Sequence, residues 1–205
     1  MYKKIGKRVI GFLLSVIGLI VCAIPMAIIA ILIRIDSKGP IIFKQKRLGK
    51  HQKIFTVYKF RTMCDHAYEM GGVATRSDDV RITRVGAILR RTSLDELPQM
   101  INIIKGDMAI IGPRPILPIE FKEYRNNERY VHRYDALPGL FCTVDLINRA
   151  AERKQQFEMD ADYVDCMNLV LDIRIFFGII STVISGKNVY REEVGTNKSK
   201  KESRR

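Results

Sequence analysis

An uncharged apolar segment from Val9 to Ile33 limits, more than any other feature, what this chain can fold into. As a helix it would reach about 37 Å at 1.5 Å per residue, against a bilayer hydrocarbon core of about 30 Å. The segment is too long for the apolar part of a cleaved signal peptide, and no typical cleavage site follows it. The sequence therefore predicts a lasting membrane helix over residues 9–35.

Basic residues flank this segment on both sides. They are Lys3, Lys4, Lys7 and Arg8 before it, and Arg34, Lys38, Lys44, Lys46, Arg47, Lys50 and Lys53 after it. Because basic flanks favour the cytosolic side, we expect both ends to be cytosolic. Pro25 removes a backbone hydrogen bond and favours a kink, which predicts a re-entrant helix that enters and leaves by one face. Proline also occurs in spanning helices, so a kinked single span is the alternative.

The charge balance indicates an acidic partner. The chain of 205 residues has a formal net charge of +13, which suits nucleic acid, an anionic membrane surface or a phosphorylated substrate. The charge is spread over the chain and no nucleic-acid recognition motif appears, so a basic membrane protein that binds nucleic acid is the weaker alternative. The four cysteines have no paired spacing, which indicates reduced thiols on the cytosolic side.

The remaining pattern predicts an α/β fold, mostly helical with a small β element. Two β-rich runs precede five helical patterns; the runs are 41–46 and 54–63, and the helices 85–91, 94–105, 120–134, 150–165 and 168–184. The apolar segment 168–184 carries Asp172 and Arg174, whose cost at the bilayer centre favours an interfacial or core helix over a second span. We expect a basic lead and re-entrant helix over 1–36, a compact cytosolic catalytic domain over 37–194 and a disordered basic tail over 195–205.

Two adjacent carboxylates, Asp95 and Glu96, begin the 94–105 pattern. Ser93 and Glu96 have the spacing of a capping box, whereas a helix starting at Asp95 would place Pro98 in its first turn. In both cases Asp95 lies at a helix N-terminus, where the macrodipole favours the carboxylate form that attacks phosphorus. Glu96 could hold Mg²⁺ together with substrate phosphate oxygens. The alternative is that both acids only complement the helix dipole.

A rigid turn, Pro113-Arg114-Pro115, follows shortly after. The two prolines restrict the backbone around Arg114, whose guanidinium can bind a phosphate through two parallel hydrogen bonds. The alternative is a plain turn.

Several motifs resemble the bacterial sugar transferase family, the monotopic phosphoglycosyl transferases. The chain matches the family's spacing in L-D-E-L-x-Q at 94–99, Asn102, K-G-D-M at 105–108, G-P-R-P at 112–115, Y-K-F-R-T-M at 58–63 and F-E-x-D at 157–160. The apolar segment with its central proline matches too. The resemblance covers residues 3–190. It differs after Pro138-Gly139, where L-F-C-T-V-D-L-I-N-R stands in place of a family pattern close to I-T-G-W-A-Q-V-N-G-R.

The resemblance implies an enzyme of the bacterial plasma membrane, at its cytosolic face, that moves a sugar-1-phosphate from a UDP-sugar to polyprenyl (undecaprenyl) phosphate and releases UMP. This reaction begins polysaccharide biosynthesis at the cell surface and implies downstream glycosyltransferases as partners. The resemblance implies Asp95 as the nucleophile that forms a covalent phospho-sugar, with Glu96 as Mg²⁺ ligand. It implies phosphate contacts from Lys59, Arg90, Arg114 and Arg149, and places Asp160 near the active site. The alternatives are solvated surface charge for Lys59, Arg90 and Arg149, and a catalytically silent scaffold for the whole chain.

Overall fold

The computed structural model describes residues 2–71, 79–147 and 151–184, and this part of the chain is mostly helical with two small two-stranded sheets. The helices are α1 Lys7–Asp36, α2 Ala67–Gly71, α3 Arg84–Thr92, α4 Gln99–Lys105, α5 Pro118–Phe121, α6 Glu128–His132, α7 Thr143–Ile147, α8 Arg153–Cys166 and α9 Leu169–Ile184. The strands are β1 Ile42–Leu48, β2 Ile54–Phe60, β3 Ala109–Ile111 and β4 Gly139–Phe141. The predicted mixture of many helices and little sheet is confirmed.

Helix α1 contains the apolar segment and is one helix of 30 residues with Pro25 inside it. It ends where Ser37 becomes extended and donates its backbone N–H to the carbonyl of Ile33. By length and composition α1 could cross a membrane. Much of its apolar surface is uncovered, and Ile24 beside the proline is 74% exposed. Exposed apolar area of this extent requires a nonpolar surrounding.

One side of α1 packs against the rest of the chain. A Cβ placed on Gly18 would lie 2.7 Å from the sulfur of Met100, so α1 and α4 approach closely there. Further along, Ile29 and Ile33 share a buried cluster with Phe60 and Leu89. Helix α1 therefore packs along one side of the domain and contacts the domain over most of the helix's length.

Both ends of α1 are attached to the domain by polar contacts. Near the beginning, the ammonium of Lys7 pairs with the buried carboxylate of Asp172 in α9. At the other end, Asp36 accepts a hydrogen bond of 3.0 Å from the backbone N–H of Val85, at the start of α3. The two ends of the apolar helix thus contact one folded unit.

Strands β1 and β2 lie in the two predicted β-rich runs and pair as an antiparallel hairpin, in a register running from Ile42 opposite Phe60 to Leu48 opposite Ile54. The second sheet was not predicted. Its strands β3 and β4 are parallel and pair Ala109 with Gly139. Two glycines make this approach possible, because a Cβ on Gly139 would lie 2.1 Å from the backbone nitrogen of Gly112. The contact fixes the start of the Gly112-Pro113-Arg114-Pro115 turn.

The expected charged helix over 120–134 is wrong. The segment contains the end of α5, then α6, then a single 3₁₀ turn, Arg133–Asp135. Its aromatic residues explain the difference, because burying Phe121 and Tyr134 against Phe157 of α8 requires the chain to turn back twice. Arg133 is buried as well, so both ends of the segment contribute to the core, whereas residues 122–128 between them are mostly exposed.

Helix α9 confirms the predicted helix over 168–184 and packs as a core helix on one face. Ile175 and Ile179 are buried against Ile111 and Tyr163. Asp172, which argued against a second span, accepts a hydrogen bond of 2.6 Å from the hydroxyl of Tyr163. The four cysteines are free thiols, as predicted. The expected disordered tail over 195–205 lies outside the described residues.

Candidate active site

The Asp95-Glu96 pair lies on a tight turn between two helices. Helix α3 ends at Ser93, which adopts a left-handed conformation with φ of 57°. Residues Leu94–Glu96 then form a single 3₁₀ turn, and α4 begins only at Gln99. The predicted helix over 94–105 is therefore interrupted. The expected capping box is wrong too, because the Ser93 side chain makes no capping hydrogen bond.

Burial governs the protonation of Asp95. Removal of its carboxyl from water, and next the neighbouring Glu96 carboxylate, raise its pKa from 3.8 to about 6, while Lys59 and Arg90 oppose the rise. The sequence predicted the opposite, namely that a helix dipole favours the carboxylate form of Asp95. A three-residue 3₁₀ turn carries too few aligned peptide dipoles to favour the charged form against burial and a like charge.

Two cations approach this pair from different elements. Lys59, near the end of β2, lies with its ammonium 2.6 Å from Oε1 of Glu96. Arg90, in the last turn of α3, donates from Nε to Oγ1 of Thr62 over 2.9 Å. Both side chains line the cavity that contains Asp95. The structure thus brings together Lys59, Arg90 and the two carboxylates, which are 37 residues apart in sequence at their widest.

Arg114 approaches the same cavity from the β3–α5 loop, and its backbone is held as well as its side chain. Its carbonyl accepts a hydrogen bond of 2.6 Å from Nη2 of Arg133, and its N–H lies 3.4 Å from Oδ1 of Asp160. Arg133 and Asp160 are themselves a fully buried ion pair. Asp160 therefore lies behind Arg114 and positions it, and it is not among the residues that line the cavity.

A buried carboxylate holds the other end of Arg114. Its Nη1 donates to Oδ1 of Asp145 in α7 over 2.8 Å. Asp145 is 4% exposed and keeps the pKa of Arg114 above its usual range. Asp145 stands within the stretch that departs from the family pattern, at the position of the family's Gln. Sequence reasoning missed both Asp145 and Arg133, and a charge at a family Gln position was the available signal for Asp145.

The cavity itself has a volume of about 910 Å³ and joins these groups to an apolar wall. The polar part holds five of the predicted site residues, namely Lys59, Arg90, Asp95, Glu96 and Arg114. The apolar part includes Leu14 and Cys22 of α1, together with Met100 of α4 and Phe176 of α9. Predicted site residue Arg149 lies outside the described residues. One cavity thus joins a cluster of cations and carboxylates to an apolar surface.

The carboxylates could hold a divalent cation only with help from a substrate. Among residues 2–71, 79–147 and 151–184, no group of three or more His, Cys, Asp or Glu side chains has the arrangement of a metal site. Mg²⁺ needs no such cage, because it commonly takes one or two carboxylates, waters and substrate phosphate oxygens. The charge of the Glu96 carboxylate raises the pKa of Asp95, and two adjacent carboxylates of this kind are suited to a shared cation. The residues therefore fit Mg²⁺.

Comparison with known proteins agrees with this geometry. The family model described as bacterial sugar transferase matches residues 2–186. An exopolysaccharide production protein of Rhizobium leguminosarum is 37% identical over 193 residues, covering 88% of this chain and 96% of the relative.

Two longer relatives have named activities. A UDP-N-acetylgalactosamine-undecaprenyl-phosphate N-acetylgalactosaminephosphotransferase of Aeromonas hydrophila is 35% identical over 88% of this chain, which spans 44% of that protein. A UDP-glucose:undecaprenyl-phosphate glucose-1-phosphate transferase of Escherichia coli is 35% identical over 85% of this chain, which spans 39% of that protein. The family match over residues 2–186 includes every site residue described above. This chain belongs to the bacterial sugar transferase family.

Proposed function

We propose that this chain is a phosphoglycosyl transferase that moves a sugar-1-phosphate from a UDP-sugar to undecaprenyl (polyprenyl) phosphate. One observation carries the proposal: the half-buried carboxylate of Asp95 lies in a cavity with Lys59, Arg90 and Arg114, and the wall of that cavity is an apolar helix. A nucleophile among three cations suits a pyrophosphate donor, and the apolar wall suits a lipid acceptor. The names of the two longer relatives supply the same pair of substrates.

In the first step, an Asp95 carboxylate oxygen attacks the phosphorus that carries the sugar. A bond forms between this oxygen and phosphorus, and the bond from phosphorus to the bridging oxygen breaks. The bridging oxygen leaves with UMP and keeps the electron pair. The enzyme then carries a sugar-phosphoryl group on Asp95 as a mixed anhydride.

In the second step, an oxygen of the polyprenyl phosphate attacks the same phosphorus. The bond from phosphorus to Asp95 breaks, and the carboxylate is restored with its electron pair. The product is a polyprenyl diphosphate sugar. Because the carboxylate is both nucleophile and leaving group, its pKa must be low enough for it to leave, and a value of about 6 satisfies this.

The cations around Asp95 stabilise negative charge as it moves between substrate oxygens. Arg114 offers a planar fork whose position is set by Asp145 and by the loop backbone. Lys59 lies against Glu96, so its ammonium is already in the cavity before a phosphate arrives. Glu96, with Asp95, would hold Mg²⁺. A bound Mg²⁺ supplies the positive charge that reduces repulsion between Asp95 and the pyrophosphate.

We further propose that α1 is re-entrant and that the domain lies at the cytosolic face of the bacterial plasma membrane. Support comes from Lys7 and Asp36, which attach the two ends of α1 to one folded domain. A helix with both ends on one domain is difficult to reconcile with flanks on opposite sides of a bilayer. The net charge of +13 suits contact with anionic lipid headgroups. Downstream glycosyltransferases remain proposed partners.

A reconstituted assay tests this function. Purified chain in detergent is incubated with a panel of UDP-sugars and polyprenyl phosphate, and both UMP and labelled lipid are measured. We expect one or more UDP-sugars to give UMP and labelled lipid in equal amounts. UMP release no higher than that of an Asp95→Asn control for every sugar would support the silent scaffold. Retention of nucleic acid by the purified chain, with no transfer, would support the nucleic-acid alternative.

A further inference from the structure

A second group of charged side chains lines the cavity that contains Asp95. It consists of Arg47 in β1, Glu120 in α5 and Arg153 at the start of α8, and we call it the Arg-Glu-Arg cluster. The proposed reaction steps use none of the three. Their side chains are open to solvent in part, with exposed fractions of 21% for Arg47 and 26% for each of the other two. A ligand in the cavity can therefore reach them.

Glu120 lies at the centre of the cluster. Its Oε1 accepts a hydrogen bond of 2.5 Å from Nη2 of Arg153, and its Oε2 accepts one of 2.9 Å from the backbone N–H of Leu117. Nη1 of Arg47 lies 3.7 Å from the same Oε2. An ionised carboxylate has about four lone-pair sites, so these contacts fix Glu120 in place and leave it able to accept from a ligand.

Two amide side chains hold the arginines from the other side. Oε1 of Gln45 accepts from Nε of Arg47 over 3.0 Å and from Nη2 over 2.6 Å. Oε1 of Gln156 accepts from Nη1 of Arg153 over 2.9 Å. Both amides line the cavity, and the amide nitrogen of Gln45 makes no hydrogen bond to the described residues. Fixed donors and acceptors side by side suit hydroxyl groups, which both donate and accept.

The cluster is close to the reaction site. Burial lowers the pKa of Arg47 to about 10 against the opposing charge of Glu120, and the charge of Arg114 adds to the decrease. Glu96 also acts on Arg47, in the opposite direction. Arg47 is therefore near enough to interact with Glu96 and Arg114, which we assign to Mg²⁺ and to phosphate. A group attached to a phosphate at Asp95 could extend from there to the cluster.

The geometry of phosphoryl transfer gives the sugar a place of its own. In an in-line displacement the attacking and leaving oxygens lie on opposite sides of phosphorus. UMP leaves opposite Asp95, and the acceptor then attacks from the side that UMP has left. The sugar stays on phosphorus through both steps, so it must lie apart from that shared path. The hydrocarbon chain of the acceptor suits the apolar wall with Leu14 and Phe176, which leaves the Arg-Glu-Arg cluster for the sugar.

We propose that the Arg-Glu-Arg cluster binds the sugar of the donor through its hydroxyl groups and selects among UDP-sugars. The inference rests on the proposed function and adds the residues that recognise the sugar. Glu120 accepts a hydrogen bond from a sugar hydroxyl, while Arg47 and Arg153 hold its carboxylate in position. A site built to bind a hydroxyl rejects an analogue that lacks it, because the polar groups of the site are then left unpaired.

Adduct formation with donor alone tests this proposal. The rate at varied UDP-sugar gives an apparent Kd for the donor, and inhibition by UMP gives a Ki for the nucleotide. For Glu120→Gln we expect the apparent Kd of the preferred UDP-sugar to rise roughly tenfold to a hundredfold, as for one lost charge-assisted contact, with the Ki of UMP within about twofold of the parent. An unchanged Kd would overturn the proposal. So would an equal rise in the Ki of UMP, because the cluster would then bind the nucleotide.

Deoxy analogues of the preferred UDP-sugar identify the hydroxyl concerned. The parent should bind one of these analogues more weakly than the complete sugar, whereas Glu120→Gln should bind the two about equally, because the contact is already lost. This comparison is made within each variant, so a general effect of the substitution on the fold does not change it. If every analogue loses as much affinity in Glu120→Gln as in the parent, Glu120 does not contact the sugar.

Two further variants separate recognition from folding. Glu123→Gln removes an exposed acid close in sequence and should bind every donor as the parent does. If Glu120→Gln does not fold, Arg153→Gln decides, because it removes the donor that holds Oε1 of Glu120. A raised donor Kd with an unchanged Ki of UMP supports the proposal, and an unchanged donor Kd contradicts it. If the parent itself forms no adduct with any UDP-sugar, the proposed function fails.

Discussion

Arg114 donates from Nη1 to Oδ1 of Asp145 over 2.8 Å, so a buried acid holds the guanidinium at the cavity before any substrate binds. Asp145 lies in the stretch after Pro138-Gly139 that departs from the family pattern. The contact leaves the charge of Arg114 intact, because Asp145 keeps its pKa above the usual range. It also fixes the direction in which the remaining donors point. The guanidinium of Arg114, the phosphate ligand that we propose, is therefore preorganised.

Replacement of Arg114 by Lys tests whether the parallel donors of the planar guanidinium are needed. Lysine keeps the charge but loses the parallel donors, so we expect kcat/KM to fall roughly tenfold to a hundredfold, the scale of one charge-assisted hydrogen bond. Arg114→Ala should be worse. The membrane-bound amount should stay constant, because α1 determines it. Initial rates at varied UDP-sugar measure the effect.

Variants at two other positions serve as controls for the Arg114 prediction. Arg84→Lys changes an exposed arginine at the start of α3 and should behave as the parent. Asp145→Asn keeps an oxygen that accepts from Nη1, so it should retain most of the activity, whereas Asp145→Ala should lose about as much as Arg114→Lys. If Arg114→Lys has the kinetics of the parent, phosphate binding must rest on Lys59, Arg90 or Arg149.

The second prediction concerns the nucleophile. Asp95→Asn is isosteric but cannot form the anhydride, so turnover should fall by more than roughly 10³-fold, the scale seen when a covalent nucleophile is removed. With donor alone, intact mass should show a phospho-sugar adduct on the parent and none on the variant. Asp135→Asn, an exposed acid paired with His132, is the matched control and should form the adduct normally. Activity of a few per cent in the Asn variant would exclude Asp95 as nucleophile.

The third prediction is a dependence on pH. Because the folded Asp95 carboxyl has a pKa of about 6, adduct formation should decrease about tenfold per pH unit below 6 when Mg²⁺ is limiting. Raising Mg²⁺ should move the midpoint to lower pH, since a bound cation favours the carboxylate. Stopped-flow UMP release over about pH 4.5 to 8 at two Mg²⁺ concentrations measures this.

The same pKa has a consequence for stability. Folded Asp95 keeps its proton up to about pH 6, whereas in the unfolded chain it releases it near 3.8. Ionisation of Asp95 therefore lowers the free energy of unfolding as pH rises from 3.8 to about 6. Without metal, Asp95→Asn should have a higher Tm than the parent at pH 7 and the same Tm at pH 3.5. A lower Tm at pH 7 would contradict the raised pKa.

The sequence predicted those parts of the fold that depend on local pattern. Strands β1 and β2 follow from the two β-rich runs and α3 from the helical pattern at 85–91, with clear turns between them. The β3–β4 pair could not be read in this way, because each strand has three residues and their partners are far apart in sequence. The break at Ser93 was also hidden, since a left-handed serine between two helical patterns has no composition signal.

The candidate site was likewise predicted only in part. Asp95, Glu96 and Arg114 were predicted from the acidic pair and the proline-flanked turn, and Lys59 and Arg90 from the family resemblance. The partners that hold these residues were not predicted. Arg133 lay in a charged stretch that resembled a solvated surface, and only the folded chain shows it buried against Asp160. The protonation of Asp95 was predicted in the wrong direction, because burial depends on the packing of α3 and β2 around it.

The fourth prediction concerns the metal. Excess EDTA should abolish UMP release, and Mg²⁺ should restore it. Glu96→Gln should raise the Mg²⁺ concentration needed for half-maximal activity at least about tenfold, because one of the two carboxylates is lost. Glu69→Gln, an exposed acid in α2, provides the matched control. Undiminished activity in EDTA would remove the metal from the mechanism.

The last prediction concerns topology. Cysteines introduced at Lys4 and at Lys53, in a background with Cys22, Cys64 and Cys166 replaced by Ser, should react with an impermeant maleimide from the same side of sealed vesicles. Because Cys166 is exposed on the domain, a variant that retains only this cysteine and the buried Cys142 reports the cytosolic side. Labelling of the two introduced positions from opposite sides would establish a span and reject the re-entrant helix.

The close approach of Gly18 to Met100 couples helix α1 mechanically to the cavity that contains Asp95. Met100 lies in α4, which begins three residues after Glu96. Under the proposed function, a shift or rotation of α1 in the bilayer would therefore act directly on the helix that follows the Asp95-Glu96 turn. The thickness and lateral pressure of the bilayer would then change the width of this cavity as well as the attachment of the protein to the membrane. Removing residues 1–36 would not release a soluble enzyme; it would open the cavity along one side.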